Sequence, residues 1–255
     1  MIRLHDAPRL RRHWLHSSGG LIWHLRALRY RKKLWQGFGH IVGDWLAAWQ
    51  PPTDKLLIVG PSAGYTLNRH FLQRWQEVAV LEPDPLARWL LRRRHPDVTW
   101  YFDNLDLLRD DRGLGLPETR YAQHAILFAN VLGQVAPRSA AESSAWQQSL
   151  REKLVSHHWA SYHDVISTAR TPDSACVQWS IDHAVTLGEV LSHFWHGGEL
   201  ELVDHCTLGL GGRENAGTAY CIWPLRPGQY HLVEWLTARR SHLATSGKAR
   251  TMIKA

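Results

Sequence analysis

The stretch Leu56 to Leu67, LLIVGPSAGYTL, decides how the fold is interpreted. An apolar run ends there in a turn that contains Gly60, Ser62 and Gly64. These three residues fit the G-x-S-x-G pattern of a hydrolase nucleophile elbow. An apolar strand that ends in spaced glycines can equally hold a nucleotide-like cofactor. The two alternatives require different partner residues elsewhere in the chain.

Downstream of this turn, short apolar runs alternate with amphipathic segments. We expect helices near residues 65–75, 85–94 and 141–158, and strands at KLLIVG, EVAVLEP, VTWYFD, AQHAILFAN and YHDVIST. This alternation predicts an α/β fold with a doubly wound, mostly parallel sheet that helices cover on both faces. The segments GELELVDHCTLG and AYCIWPL, separated by a Gly-rich connection, are expected to form an antiparallel pair near the C-terminus.

The position of the turn favours the cofactor loop over the elbow. Several strands precede the nucleophile of an α/β-hydrolase, whereas LLIVG is the first strand here. Glu82 stands 18 residues after Gly64, at the end of the second strand, where a carboxylate can bind ribose hydroxyls. A third helix-packing glycine is missing, which favours a mononucleoside cofactor over NAD. Ser62 with a later Asp and His231 is the weaker, hydrolase alternative.

Four segments resemble, in order and spacing, the leading motifs of the Rossmann-like (class I) S-adenosylmethionine-dependent methyltransferases: LLIVGPSAG, VAVLEPDP, WYFDNLD and AILFANVLGQ. The resemblance spans roughly residues 55–235 and implies a reversed last strand and S-adenosylmethionine as cofactor. It further implies that Gly60, Ser62 and Gly64 line the methionine part of the cofactor and that Glu82 holds the ribose. Ser62 departs from the family's usual middle glycine.

The resemblance also implies that Asp103, or less so Asp106, faces the adenine, and that Asn130 lies beside the transferred methyl group. Three His/Asp doublets offer general bases, because histidine titrates near neutral pH. Of these we expect His163 and His183 to be catalytic, together with Asn130. No metal site is predicted, because adjacent His and Asp point to opposite sides of a strand and no H-x-x-x-H helix is present.

Basic residues concentrate at the two ends of the 255-residue chain, whose net charge is +7. We predict a basic, Trp-rich helical extension over 1–50, a methyltransferase domain over 51–238 and a basic tail over 239–255. The two basic ends indicate an anionic partner, and RNA is one candidate, since aromatic and basic side chains bind single strands. The alternative is that the tryptophans of the extension pack onto the sheet while its arginines face water.

The sequence predicts an enzyme of the cytoplasm. Its three cysteines are scattered, which is typical of a reducing compartment, and arginines interrupt the apolar runs that a signal peptide or membrane span needs. The expected function is S-adenosylmethionine-dependent methyl transfer to an unknown acceptor. The altered loop at Ser62 leaves one alternative, a non-catalytic binding or scaffold protein with a methyltransferase fold.

Overall fold

The computed structural model of the protein describes residues 20–108, 117, 120–173, 178–210 and 218–238. The predicted basic tail 239–255 and the start of the N-terminal extension lie outside these residues. Seven helices are described: α1 Gly20–Tyr30, α2 Trp35–Ala48, α3 Arg69–Gln73, α4 Pro85–Arg94, α5 Leu132–Val135, α6 Ala140–Leu154 and α7 Leu187–Phe194. No helix within the described ranges combines the length and apolarity needed to cross a membrane.

The strands form one nine-stranded sheet. They are β1 Lys55–Val59, β2 Glu77–Leu81, β3 Trp100–Asp103, β4 Ala125–Ala129, β5 Trp159–Thr168, β6 Trp179–Ile181, β7 Leu202–Asp204, β8 Thr218–Arg226 and β9 Gln229–Ala238. Their order is β3-β2-β1-β4-β5-β9-β8-β6, with β7 paired to β5. The first five strands pair in parallel, and β9 runs antiparallel to β5. The predicted fold class and its reversed last strand are confirmed.

Both faces of the sheet are covered, as a doubly wound fold requires. Along β1, Leu56 and Ile58 belong to the core beneath α1, α2 and α3. Leu57 and Val59 belong to a second core on the other face, which α6 closes. Each face is apolar because a parallel strand buried on both sides needs apolar residues at every position.

The C-terminal strand pair differs in its members from the sequence prediction. β8, which contains AYCIWPL, pairs with β9 and β6, whereas GELELVDHCTLG contributes only the short β7. The prediction missed β9 because a tight turn at Gly228, with φ of +68°, follows β8 directly. Helix α3 is likewise shorter than the predicted 65–75, since turns occupy the residues before its N-cap, Asn68.

The described part of the N-terminal extension packs against the sheet. Trp23 and Trp35 are buried and contact Trp223 of β8 with ring centroids 5.7 and 5.3 Å apart. Phe38 stacks on the same indole at 4.4 Å. Buried rings are not available to stack on bases, so these contacts favour the packing alternative for the two tryptophans. RNA as a partner of the basic ends stays a prediction.

Candidate active site

The turn that follows β1 has the backbone of a cofactor loop. Gly60, Ser62 and Gly64 all have left-handed φ angles, of +67°, +50° and +61°. Ser62 therefore keeps the conformation that glycine adopts more readily, although it is not glycine. A Cβ at Gly60 would come within 2.8 Å of Val131, and one at Gly64 within 2.7 Å of Leu91. Both glycines are thus needed for close packing as well as for the turn.

Glu82 lies at the tip of β2, next to this turn. Its side chain is only 6% exposed, and its Oε1 accepts a hydrogen bond from the amide of Asp84 at 3.0 Å. The amide of Ser62 also donates to this carboxyl group. Burial raises the pKa of Glu82 to about 7, and the two amides reduce the shift. The acid predicted for the ribose is therefore joined directly to the turn predicted for the methionine.

The predicted adenine residues lie at the next strand end. Asp103 ends β3, and its Oδ2 accepts from Arg120 at 3.0 Å. Arg88 of α4 donates to the backbone carbonyls of both Glu82 and Asp103, which fixes the two strand tips relative to each other. Asp106, the less favoured candidate, accepts from the amide of Leu108. Asp103 therefore shares the carboxyl edge of the sheet with Glu82.

Asn130 follows β4 at the same edge. Its φ is +56°, and its amide donates to the carbonyl of Tyr162 at 2.8 Å. Its side-chain Oδ1 is buried without a hydrogen-bond partner among the described residues. A buried amide oxygen without a partner is costly, so a ligand that donates to it would be stabilising.

A polar pocket of about 210 Å³ begins at Asn130 and extends towards β9. The residues that line it come from α1, α5, the strands β5, β8 and β9, and loops beside them: Trp23, Arg26, Asn130, Gly133, Gln134, Arg138, Asp164, His205, Trp223, Leu225, Gln229 and His231. Three of its lining side chains, Asp164, His205 and His231, carry ligand or proton-transfer atoms that all lie within 4.8 Å of one another. This cluster is the part of the site that the sequence prediction missed.

The topology of β5 brings the three residues together. β7 pairs with β5 beyond the end of β4, and the amide of His205 donates to the carbonyl of Val165. On the other side, β9 places His231 diagonally across from Asp164, next to a bulge in β5. The structure thus joins the Asp of one doublet to the His of another, which a search for adjacent residues could not reveal.

The hydrogen bonds define the roles of the two rings. Nδ1 of His231 lies 3.0 Å from Oδ2 of Asp164, although its N–H is not aligned with the oxygen. Nε2 of His231 lies 3.3 Å from the amide nitrogen of Gln229, so it acts there as the acceptor. Arg138 donates to Nδ1 of His205 at 2.8 Å, which places the proton of that ring on Nε2.

Asp164 remains ionised despite its burial. Burial acts to raise the pKa of this carboxyl, but the rings of His231, His205 and His163 outweigh it and lower the pKa below its usual value. Burial, with Arg138 and His231 nearby, lowers the pKa of His205, which keeps that ring neutral. A carboxylate beside His231 holds the Nδ1–H tautomer, so Nε2 is the acceptor atom of the ring, and Gln229 contacts it.

The two histidines predicted as general bases do not line this pocket. His163 is fully buried on the opposite face of β5, where it contacts Ser161 at 2.9 Å and Glu234 at 3.7 Å. Burial lowers its pKa to about 4. His183 is exposed after β6 and pairs with Asp182. A catalytic role for either remains a sequence prediction, and neither placement brings it to Asn130.

Because of Glu234, the neighbour of His163, we expect the free energy of unfolding to fall as the pH rises. Burial raises the pKa of Glu234 to about 7, although hydrogen bonds from Gly209 and Tyr220 act to lower it. Because the folded form holds its proton more tightly than the unfolded form, this group stabilises the fold below pH 4.5, and the contribution disappears as the pH rises through 7. Glutamine lacks this titration. We therefore expect the unfolding free energy of Glu234→Gln, measured relative to that of wild type, to be about 2–3 kcal/mol higher at pH 8 than at pH 5.

Urea denaturation at both pH values measures this gain. Glu77→Gln is the matched control, because the pKa of Glu77 is lowered and its titration lies below this pH window. An equal effect of Glu234→Gln at pH 5 and pH 8 would contradict the assignment of a neutral, buried acid.

Helix α1 lies over the site and joins its two ends. His24 contacts the hydroxyl of Tyr65 at 2.8 Å through Nδ1 and Oδ2 of Asp84 at 3.1 Å through Nε2. These partners follow the β1 turn and the tip of β2, respectively. Trp23 and Arg26 of the same helix line the polar pocket. The N-terminal extension therefore forms a wall of the site.

No protein-family model matches the chain, and no curated protein matches its sequence. Solved structures with a similar course of the chain include an S-adenosylmethionine-dependent methyltransferase from Anabaena variabilis, with 12% identity, a TM-score of 0.47 and coverage of 86% of this chain and 92% of that one. The N-methyltransferase NodS from Bradyrhizobium japonicum, in complex with S-adenosylhomocysteine, has 11% identity, a TM-score of 0.42 and coverage of 80% and 87%.

Magnesium protoporphyrin IX methyltransferase from Synechocystis, with bound S-adenosylhomocysteine, has 14% identity, a TM-score of 0.41 and coverage of 80% and 85%.

Proposed function

We propose that this protein is an S-adenosylmethionine-dependent methyltransferase. The observation that carries the proposal is Glu82, a buried carboxyl at the tip of β2 that accepts a hydrogen bond from the Ser62 amide in the turn after β1. In an open α/β sheet, ligands bind beyond the carboxyl ends of the strands, and the order of this sheet reverses between β1 and β4. Glu82, Asp103 and Asn130 all stand at that edge.

The residues present fit this cofactor in two respects. The left-handed φ of Ser62 preserves the turn that the resemblance requires at its middle position. Oδ1 of Asn130, which has no hydrogen-bond partner in the described part of the chain, offers an acceptor beside the crevice. In this proposal Glu82 binds the ribose hydroxyls, Asp103 faces the adenine, and the Gly60 to Gly64 turn holds the methionine part.

When bound, the cofactor supplies a methyl group on a positively charged sulfur. Methyl transfer is an in-line displacement, so the main task of the protein is to hold the acceptor close and aligned. Asn130 orients the acceptor at the junction of the crevice and the polar pocket. In this proposal the N–H or O–H of the acceptor would replace the amide of Gln229 at Nε2 of His231 and give its proton there, and the bound cofactor would supply the methyl group.

The Asp164–His231 pair is the base that the geometry favours. Asp164 stabilises the positive charge that His231 acquires when it accepts the proton, because the two side chains are 3.0 Å apart and almost fully buried. His231 does pair with a later Asp, as the hydrolase alternative requires, but its Nε2 contacts Gln229, and among the described residues no histidine is hydrogen-bonded to Ser62. Retention of Glu82 and of a buried base also disfavours a purely scaffolding role.

Calorimetric titration with S-adenosylmethionine and S-adenosylhomocysteine tests the proposal. We expect micromolar binding to wild type and a loss of at least about tenfold in Glu82→Gln, since a carboxylate that accepts from hydroxyl groups contributes more than a neutral amide. Because the pKa of Glu82 is about 7, wild-type affinity should fall as the pH drops from 8 to 6, while the affinity of Glu82→Gln stays flat.

Glu77→Gln is the control on the same strand, at the opposite end of β2, where Glu77 contacts Lys55 and His124. It should bind both ligands like wild type. Absence of binding to wild type at every pH, with the protein folded by circular dichroism, would reject the proposed cofactor.

A further inference from the structure

The polar pocket carries an excess of positive charge. Arg26 of α1 and Arg138, just before α6, both line it. Asp164 is the one carboxylate among its described lining residues, and it is already paired with His231. Within the ranges that the structure describes, neither guanidinium forms an ion pair with a carboxylate. The pocket is therefore built to receive negative charge.

Arg26 shows this imbalance most clearly. Burial and the nearby Arg226 both lower its pKa, so the two guanidinium groups repel each other in a partly dehydrated setting. Arg226 donates to Gln229 at 2.8 Å, which is a neutral partner. An anion in the pocket would offset the positive charge at Arg26 and offer acceptors to the N–H groups of Arg26 and Arg138, which both line it.

We propose that this pocket binds the anionic group, a carboxylate or a phosphate, of a small methyl acceptor through Arg26 and Arg138. As a statement about the acceptor, this inference rests on the proposed function. The volume of about 210 Å³ corresponds to about seven water molecules. A small acid, or the acidic end of a larger molecule, fits this space. The reacting atom then lies between Asn130 and His231, which line the same pocket.

A metal ion is the competing occupant, because Asp164, His205 and His231 are close enough to share one. Arg138 argues against it. A His205 bound to metal through Nε2 carries its proton on Nδ1, and that N–H would then face the N–H of Arg138 at 2.8 Å. The guanidinium charge would also repel a divalent cation held by the neighbouring His205.

Anion binding can be measured without any cofactor. We would titrate the full chain calorimetrically, at constant ionic strength, with benzoate, with inorganic phosphate and with benzamide as the neutral analogue of benzoate. The expected result is binding of at least one anion and none of benzamide. Either single substitution, Arg26→Gln or Arg138→Gln, should lower the affinity for the anion about tenfold or more. Arg29→Gln, on the exposed side of the same helix, should bind like wild type.

The variants Arg26→Lys and Arg138→Lys keep the positive charge and should keep part of the affinity for the anion. They serve as controls if a glutamine variant does not fold. The preference between benzoate and phosphate identifies which acid the acceptor carries. Failure of wild type to bind either anion, or equal binding by the double glutamine variant, overturns the inference. Stoichiometric Zn²⁺ binding that His205→Gln abolishes would also overturn it and assign the pocket to a metal.

Because these titrations contain no cofactor, their outcome is independent of the test of Glu82. Cofactor binding without anion binding leaves the methyltransferase proposal standing and removes this inference. A further readout is methyl transfer to a panel of small carboxylic acids and phosphate monoesters against their amides and alcohols. Transfer only to the acids is expected, with a lower kcat/KM and unchanged cofactor affinity in Arg26→Gln.

Discussion

Replacing Trp223 with alanine is expected to lower the free energy of unfolding by about 3–5 kcal/mol, the range for a large aromatic side chain removed from a core. Trp223 is 1% exposed and contacts Trp23 of α1 and both Trp35 and Phe38 of α2. It therefore joins the N-terminal helices to β8. Urea denaturation measures the loss, and limited proteolysis should show earlier cleavage before residue 50.

Trp89→Ala is the matched control, because Trp89 lies on α4 with 53% of its surface exposed and should cost less than about 1 kcal/mol. If the alanine variant does not fold, the unfolding free energy of Trp223→Phe, which keeps an aromatic ring, can be compared with that of wild type instead. A loss below about 1 kcal/mol in Trp223→Ala, with unchanged proteolysis, would contradict the view that the N-terminal helices share one core with the sheet.

The sequence allowed the parallel half of the fold to be predicted because its signals are local. Each strand from β1 to β4 is an apolar run, and each ends in polar or glycine residues. Glu82 and Asn130 are the residues next to two such ends, so their placement follows from the positions of β2 and β4. The carboxyl ends of parallel strands meet at one edge, which made this part of the site accessible to sequence analysis.

The polar pocket could not be predicted in the same way. Asp164, His205 and His231 are distant in sequence and meet through a bulge in β5, the short β7 and the register of β9. None of these features has a strong local signal, and β9 itself was missed. His163 precedes Asp164 directly, but the alternation of a strand sends it to the opposite face. Which of these two residues lies at the pocket depends on which face of the sheet α1 and α2 cover.

Replacing His231 with glutamine is expected to lower kcat by about 10²- to 10⁴-fold, the usual contribution of a positioned general base. The reason is that Nε2 of His231, which contacts Gln229 in the pocket, is the atom proposed to take the proton of the acceptor, while Asp164 lies 3.0 Å from Nδ1. Asp164→Asn should lower kcat in the same direction, because an amide does not stabilise the protonated ring. Initial rates with a responsive acceptor, measured from pH 6 to 9, give the comparison with wild type.

Two results must accompany the loss of activity if His231 is the base. S-adenosylmethionine should bind His231→Gln as it binds wild type, since Glu82 and the Gly60 to Gly64 turn are untouched. The loss should also appear in kcat rather than as a higher KM for the acceptor, because a general base acts in the chemical step. His183→Gln is the control, because His183 is exposed outside the pocket. If His183→Gln abolishes methyl transfer while His231→Gln retains it, the base predicted from the sequence is correct and the Asp164–His231 pair has a structural role.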